Sequence, residues 1–88
     1  MITADLVLPR VMGLVRPHTK LLEPGEELDP ERELLDLGVD SFSLLELITD
    51  VETEFGIMIP DELLNPDTFR STASVSAAVV ELLSCGEE

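Results

Sequence analysis

One amphipathic segment, residues 41–55, constrains the fold more than any other part of the sequence. At about 100° per residue, its large apolar side chains fall on a single stripe about 100° wide, as the core-facing side of an α-helix requires. Asp40 or Ser41 can cap the start of this helix, and Gly56 can end it. The segment therefore predicts a helix that supplies a major part of the core, through Leu44, Leu47, Ile48, Val51 and Phe55.

The sequence before this segment predicts one more helix and a long connection. Apolar residues at helical spacing indicate a first helix over about 3–16, with Thr3 as its cap. Because Pro9 lies inside that helix, we expect it to be kinked or to start late. A loop over about 17–40 follows, and its leucines predict that it is pinned across the other helices.

The sequence after the segment predicts a short helix and a long one. Pro60 and Pro66 bracket a short helix over about 61–69, and a last helix covers about 72–84. A chain of 88 residues has room for one domain, here residues 1–88. The predicted fold class is all-α, a four-helix bundle of three main helices plus a short third helix, with a long loop between the first two.

The charge distribution restricts the class of binding partner. Nineteen acidic and five basic residues give a formal net charge of −14, and no Lys or Arg occurs from Glu33 to Phe69. Such a surface repels nucleic acid and anionic lipid and attracts basic protein surfaces. No apolar run reaches the roughly 18–20 residues of a membrane span. We therefore expect protein partners, no nucleic acid and no membrane, and a monomer, because like charge disfavours self-association.

The residues that intrinsic catalysis or a metal site would need are scarce. His18 is the only histidine and Cys85 the only cysteine, so neither a zinc site nor a base-activated nucleophile is indicated. His18 is expected to be an exposed loop residue. A single cysteine also excludes an intrachain disulfide, and Met1–Arg10 lacks the features of a signal peptide. The sequence thus predicts no catalytic residues, no metal and a cytoplasmic location.

The most informative motif is Leu-Gly-Val-Asp-Ser at 37–41. It places the Ser41 hydroxyl at the exposed start of a helix, where free N–H groups and the positive dipole end favour a phosphate. Phe42 lies off the core stripe and Leu45 at its edge, so the two indicate a contact patch beside the serine. Taken alone, however, Asp40-Ser41 is more often an ordinary helix cap.

A wider set of matches resolves this ambiguity. The sequence resembles the acyl carrier protein family, including the peptidyl carrier domains of nonribosomal assembly lines, from Leu34 to Leu83. The order and spacing of the matches are specific to that family, whereas Asp-Ser alone is not. The matching motifs are Leu-Gly-Val-Asp-Ser at 37–41, Leu-Glu-Leu at 45–47, Glu-Phe-Gly-Ile at 54–57 and Ile-Pro-Asp-Glu at 59–62.

The resemblance implies a carrier that is itself not an enzyme. Ser41 would receive 4′-phosphopantetheine from coenzyme A through a separate phosphopantetheinyl transferase, and Asp40 matches the acidic residue before that serine. The implied partners are this transferase and adenylating or acyl-loading, condensing and tailoring enzymes with basic docking surfaces. The positions that match docking residues of the family are Phe42, Leu45, Glu46, Glu52 and Glu54.

Departures from the family pattern bear on the pathway. Ser43 stands where fatty-acid carriers usually have an acidic residue, and Thr49 replaces a larger apolar residue. Pro9 and the residues 63–66 also differ. These differences favour a discrete carrier in polyketide or nonribosomal peptide biosynthesis. The alternatives are an acyl carrier of fatty acid or other primary metabolism and, from a different class, an acidic helical interaction module without a cofactor.

Overall fold

The computed structural model describes residues 4–23 and 25–85, and in them the chain is helical, which confirms the all-α class. No helix in these ranges is long and apolar enough to span a membrane. Short 3₁₀ turns connect the α-helices at Arg16–His18, Leu34–Leu37 and Asp61–Leu63. The three α-helices are α1 (Ala4–Val15), α2 (Ser41–Phe55) and α3 (Thr72–Cys85).

The core is built mainly from valines where α1 packs against α3. β-Branched side chains have few rotamers to lose, so they fill a narrow interhelical space at a small entropic cost. Leu47 and Val51 bring α2 into the same core, and both are fully buried. The buried residues of the α1–α3 interface are Val7, Val11, Val15, Val75 and Val79.

Helix α1 runs through Pro9, so of the two predicted alternatives the late start is wrong for the described residues, and the kink stays a prediction. Proline removes the hydrogen bond to the carbonyl four residues earlier, which here belongs to Asp5. Both Asp5 and Pro9 are exposed, so water can solvate the freed carbonyl. The predicted cap, Thr3, lies outside the described residues.

Helix α2 has the bounds that its sequence predicts. Asp40 is the N-cap, with an extended backbone, and Gly56 ends the helix in the left-handed region at φ 64°. Of the predicted stripe, Leu47 and Val51 are buried, and the other members lie half-buried against the same core.

The predicted short helix over 61–69 is present only as a shorter element. Asp61–Leu63 make a single 3₁₀ turn, and a separate turn follows in which the Asn65 side-chain oxygen accepts the Thr68 N–H at 2.9 Å. Pro66 explains the break, because proline disfavours helical geometry at the residue before it and has no N–H to donate. The third element is therefore two consecutive turns.

The long connection between α1 and α2 is pinned by backbone hydrogen bonds, as predicted. Its Pro30 carbonyl accepts from the N–H of Ala73 at 2.8 Å, and its Leu34 N–H donates to the Arg70 carbonyl at 2.8 Å. Arg16 Nη2 also donates to the Glu26 carbonyl at 2.6 Å. The leucines of the connection divide into a buried set, Leu28, Leu34 and Leu37, and an exposed set, Leu21 and Leu35.

Candidate functional site

Ser41 is the first residue of α2, and its side chain is exposed to solvent. The residue before it fixes the start of the helix, because Asp40 Oδ1 accepts the backbone N–H of Ser43 at 2.8 Å. The capping role therefore belongs to Asp40, which leaves the Ser41 hydroxyl accessible at the positive end of the helix dipole.

Asp40 also forms an ion pair that the sequence did not predict. Lys20 Nζ donates to Asp40 Oδ2 at 2.7 Å, on the oxygen that does not cap the helix. The Lys20 ammonium, together with the N–H of Ser43, lowers the pKa of Asp40 to about 2. Asp40 is consequently ionised at neutral pH and has both of its oxygens engaged.

Gly38 allows the connection to approach the site this closely. Its φ of 87° lies in the left-handed region, and a Cβ on it would lie 2.9 Å from Leu21 Cγ and 3.2 Å from Lys20 Cβ. The neighbouring Leu37 and Val39 are buried and anchor this turn in the core. Glycine is thus needed both for the backbone conformation and for the space it leaves.

An exposed apolar patch lies beside Ser41. The side chains of Phe42 and Leu45 are 78% and 65% exposed, and Leu35 from the connection is 78% exposed. Glu46 is exposed on the same helix. The structure therefore puts the predicted docking residues Phe42, Leu45 and Glu46 where a partner protein can reach them.

A groove of about 490 Å³ separates α2 from the turns at 64–70. Leu44 and Leu45, which line it, lie three and four residues after Ser41, so the groove begins about one helical turn from the serine hydroxyl. Charged residues at its edge are Glu33, Asp67 and Arg70. The remaining lining is largely apolar: Leu35, Ile48, Leu64, Pro66 and Phe69.

Glu52 and Glu54 have partners within the chain. Glu52 Oε2 accepts the Ile59 N–H at 2.9 Å, and Glu54 pairs with Arg10, whose guanidinium also lies over the Phe55 ring. These contacts attach the end of α2 to its neighbours. The docking role predicted for the two glutamates stays a prediction, and the structure gives each of them a structural role.

His18 is not the exposed residue that the sequence predicted. Its side chain is 14% exposed, and Nε2 lies 3.1 Å from Asp50 Oδ2 on α2. The sequence analysis also predicted neither a role for Lys20 nor a groove beside α2. The chemical signal that was available is that Lys20 is the only lysine of the chain, and it precedes a strongly acidic stretch.

The arrangement suits attachment of a group to the serine. An accessible hydroxyl, the N-terminus of a helix and a nearby ammonium group can together accommodate a phosphodiester. Among residues 4–23 and 25–85, no group of three or more His, Cys, Asp or Glu side chains is placed to hold a metal ion.

Comparison with known proteins identifies the family. The model of the family described as "Phosphopantetheine attachment site" matches residues 10–79, which include the Leu-Gly-Val-Asp-Ser motif. The chain belongs to this family of carrier proteins, whose cofactor is covalently attached 4′-phosphopantetheine. The resemblance inferred from the sequence is confirmed, and the reading as an interaction module without a cofactor is set aside.

Individual relatives are carriers of two kinds. Aminoacyl carrier protein 2 of Bradyrhizobium diazoefficiens is 31% identical over 84 residues, covering 96% of this chain and 94% of the relative. The acyl carrier protein of Zymomonas mobilis is 38% identical over 53 residues, covering 60% of this chain and 67% of the relative. The first similarity extends over nearly the whole chain, whereas the second is confined to part of it.

A solved structure shows the same fold in a complex with an enzyme. It is an engineered Bradyrhizobium japonicum glycine:[carrier protein] ligase complexed with a carrier protein from Agrobacterium tumefaciens and AMP. The matching chain superposes with a TM-score of 0.72 at 26% identity, covering 82% of this chain and 96% of that chain.

Proposed function

We propose that Ser41 is the attachment residue for 4′-phosphopantetheine and that the chain presents an aminoacyl thioester on that arm to partner enzymes. The observation that carries the proposal is the exposed Ser41 hydroxyl at the start of α2, directly after the capping Asp40 and within the matched family region. Other serines of the described chain lack this combination, and Ser43, two residues further on, is buried.

The residues of the chain have limited and separate tasks in this function. Asp40 holds the first turn of α2 together, so that the Ser41 oxygen projects from a fixed point. During attachment, that hydroxyl loses its proton and bonds the pantetheine-side phosphorus of coenzyme A, and adenosine 3′,5′-bisphosphate leaves. The bound cofactor supplies a thiol that can hold a thioester, a more reactive ester than serine itself would form.

The cargo that we propose is an amino acid. The aminoacyl carrier from B. diazoefficiens matches nearly the full length of the chain, and the related fold in the solved complex is bound to an amino-acid ligase. We further propose an adenylating ligase as the loading partner and a polyketide or nonribosomal peptide route as the destination. The departures at Ser43 and Thr49 from the fatty-acid pattern support this choice.

A fatty or other simple acyl cargo is the second candidate. The similarity to the acyl carrier protein of Z. mobilis and the largely apolar groove beside α2 favour it. A loading assay separates the two candidates. The holo chain is offered amino acids with adenylating ligases, and fatty acids with an acyl-carrier synthetase, and the thioester is detected by mass. Loading by the synthetase alone would contradict the aminoacyl proposal.

Attachment at Ser41 is tested by incubating the chain with coenzyme A and a broad-range phosphopantetheinyl transferase. We expect the intact mass to rise by one phosphopantetheinyl unit in the wild type and in Ser43→Ala, but not in Ser41→Ala. Circular dichroism checks that all three chains are helical. Addition to a folded Ser41→Ala chain would show that another residue is the attachment point.

Docking of the partner enzymes is proposed to depend on charge. Helix α2 exposes Phe42, Leu45 and Glu46 within a segment that lacks basic residues, so a basic partner surface would be attracted over a distance. Raising ionic strength from about 0.05 to 0.5 M shortens the screening length from roughly 14 to 4 Å. The affinity for the loading enzyme should fall accordingly, as measured by titration calorimetry.

A further inference from the structure

The ammonium group of Lys20 contacts the residue directly before the proposed attachment point. Its Nζ lies 2.7 Å from Oδ2 of Asp40, the residue directly before Ser41. The other oxygen of Asp40 accepts the Ser43 N–H. A positive charge is thus held at the mouth of α2, although no Lys or Arg occurs in the sequence from Glu33 to Phe69.

The backbone, and not only the ion pair, sets this position. The N–H of Leu21 donates to the Leu37 carbonyl at 3.0 Å, and the adjacent Thr19 is buried, with its hydroxyl donating to the Arg16 carbonyl at 2.6 Å. Gly38 leaves the space in which Lys20 Cβ and Leu21 lie. Lys20 would therefore stay beside the start of α2 if its bond to Asp40 were broken.

The ammonium group of Lys20 can bind acceptors other than Asp40. The side chain is 58% exposed and the Asp40 side chain 55%, so their ion pair is in contact with water and contributes little to stability. An exposed ammonium on a flexible stem can change or share partners at low cost. An anion placed on Ser41 would be such a partner, one residue from the present one.

Electrostatics favour a shared ammonium. The chain carries a net charge of −14, and a phosphodiester on Ser41 adds a negative charge next to the ionised Asp40. The N-terminus of α2 relieves part of that repulsion through its N–H groups. The N–H of Ser43 is already bonded to Asp40, so a cation between the two anions would add compensation that this N–H cannot supply.

We propose that Lys20 binds the phosphodiester of the arm on Ser41 and bridges it to Asp40, which makes Lys20 a positioning residue for the arm. This inference rests on the attachment proposed above. In the unmodified chain, Asp40 binds the Lys20 ammonium and keeps it beside Ser41 before the phosphate is attached.

The test uses the fact that Lys20 is the only lysine, so selective labelling gives one side-chain ammonium signal. The wild type is loaded completely, as judged by intact mass, and studied by NMR. We expect a nuclear Overhauser contact between the Cε protons of Lys20 and the methylene protons beside the phosphate of the arm. A fully loaded chain without that contact would overturn the role of Lys20 while leaving attachment at Ser41 intact.

A second readout compares the pKa of Asp40 before and after loading, in the wild type and in Lys20→Gln. In both chains the added anion raises this pKa. In the wild type the rise should be larger, because Asp40 then shares with the phosphate an ammonium that it binds alone before loading. Equal rises in the two chains would mean that Lys20 keeps to Asp40 and that the proposal is wrong.

Two further variants serve as controls. Lys20→Arg retains the charge and should retain a contact between its side chain and the arm. Arg32→Gln removes one positive charge from an exposed position of the connection and should leave the Lys20 contact and the rise in the Asp40 pKa as in the wild type. If no chain gains mass, the attachment proposal fails; if all gain mass and the Lys20 signals do not respond, only the present inference fails.

Discussion

Apolar side chains are buried in the α1–α3 interface, whereas those on the outer side of α2 are exposed to solvent. We call the first the closed side (Val7, Val11, Val15, Val75 and Val79) and the second the open side (Leu35, Phe42, Leu45 and Leu64). Every member of the closed side is 3% exposed or less, whereas every member of the open side is at least 44% exposed.

This difference teaches how stability and recognition are separated in so small a chain. A side chain exposed in both the folded and the unfolded state loses no apolar area on folding, and so adds little to the free energy of unfolding. Residues of the open side are therefore available for binding without a large effect on stability. Five predictions test the division, from the largest expected effect to the smallest.

Leu47→Ala and Leu45→Ala place the same change on the two faces of α2. Leu47 is fully buried, so its loss should lower the free energy of unfolding by about 2–5 kcal/mol. Leu45 is 65% exposed, and its replacement should stay within about 0.5 kcal/mol. Denaturant titration measures both values. A similar loss of free energy of unfolding in the two variants would contradict the difference between the buried and the exposed face.

Gly38→Ala tests the turn that leads from the connection into α2. A non-glycine residue in the left-handed region costs about 1–3 kcal/mol, and the new Cβ would also collide with Leu21. We expect destabilisation of at least that size in thermal and denaturant unfolding. Gly13→Ala is the matched control: it lies in α1 with open space around it and should be neutral or stabilising by up to about 1 kcal/mol.

Leu45→Ala should have its main effect on binding. Loss of an exposed apolar anchor near the centre of an interface costs more than about 1 kcal/mol, or roughly a fivefold to tenfold weaker Kd for the loading enzyme. Calorimetric titration of the holo chain with that enzyme measures the change. An unchanged Kd would show that the open side near Ser41 is not the docking surface.

The pH dependence of the site follows from Asp40. Its pKa is lowered to about 2, below the value near 3.9 of an unfolded aspartate, so its contribution to stability is complete above about pH 4–5. It is lost as the pH falls towards 2. Asp40→Asn keeps a capping oxygen but loses the charge, and its unfolding should depend less on pH over that range. An identical pH profile would mean that the negative charge of Asp40 has no effect on stability.

Thr72→Val tests a buried polar position of α3, the helix that contributes Val75 and Val79 to the closed side. The Thr72 hydroxyl is fully buried and has no hydrogen-bond partner among the described residues. Replacing it with a methyl group of similar size removes the desolvation cost, so the variant should be neutral or more stable by up to about 1 kcal/mol. A marked loss of stability in thermal unfolding would reveal a partner for this hydroxyl.

The parts of the fold that depend on local sequence were predictable. Asp40 and Gly56 mark the ends of α2 because capping and left-handed termination involve residues within a turn of each other. The exposure of Ser41 was predicted from its place at the start of the helix, and that of Phe42 and Leu45 from helical periodicity. These residues make up most of the candidate site.

The remaining features depend on contacts between distant residues. The pairs of Lys20 with Asp40 and His18 with Asp50 join positions 20 and 32 residues apart, and no pattern within one helix reveals them. The groove likewise exists only once the turns at 64–70 have packed near α2. The length of the short helix was overestimated for a local reason, since Pro66 already indicated a break after Asp61–Leu63.

The two backbone bonds that pin the connection, Pro30 to Ala73 and Leu34 to Arg70, bear on the order of events during synthesis. The two residues that complete these bonds, Arg70 and Ala73, lie in the last quarter of the given sequence. A nascent polypeptide that has not yet reached residue 73 therefore lacks the partners that complete the path leading into Ser41. The Ser41 hydroxyl therefore reaches its finished surroundings only after residue 73 has been synthesised and has packed against the connection.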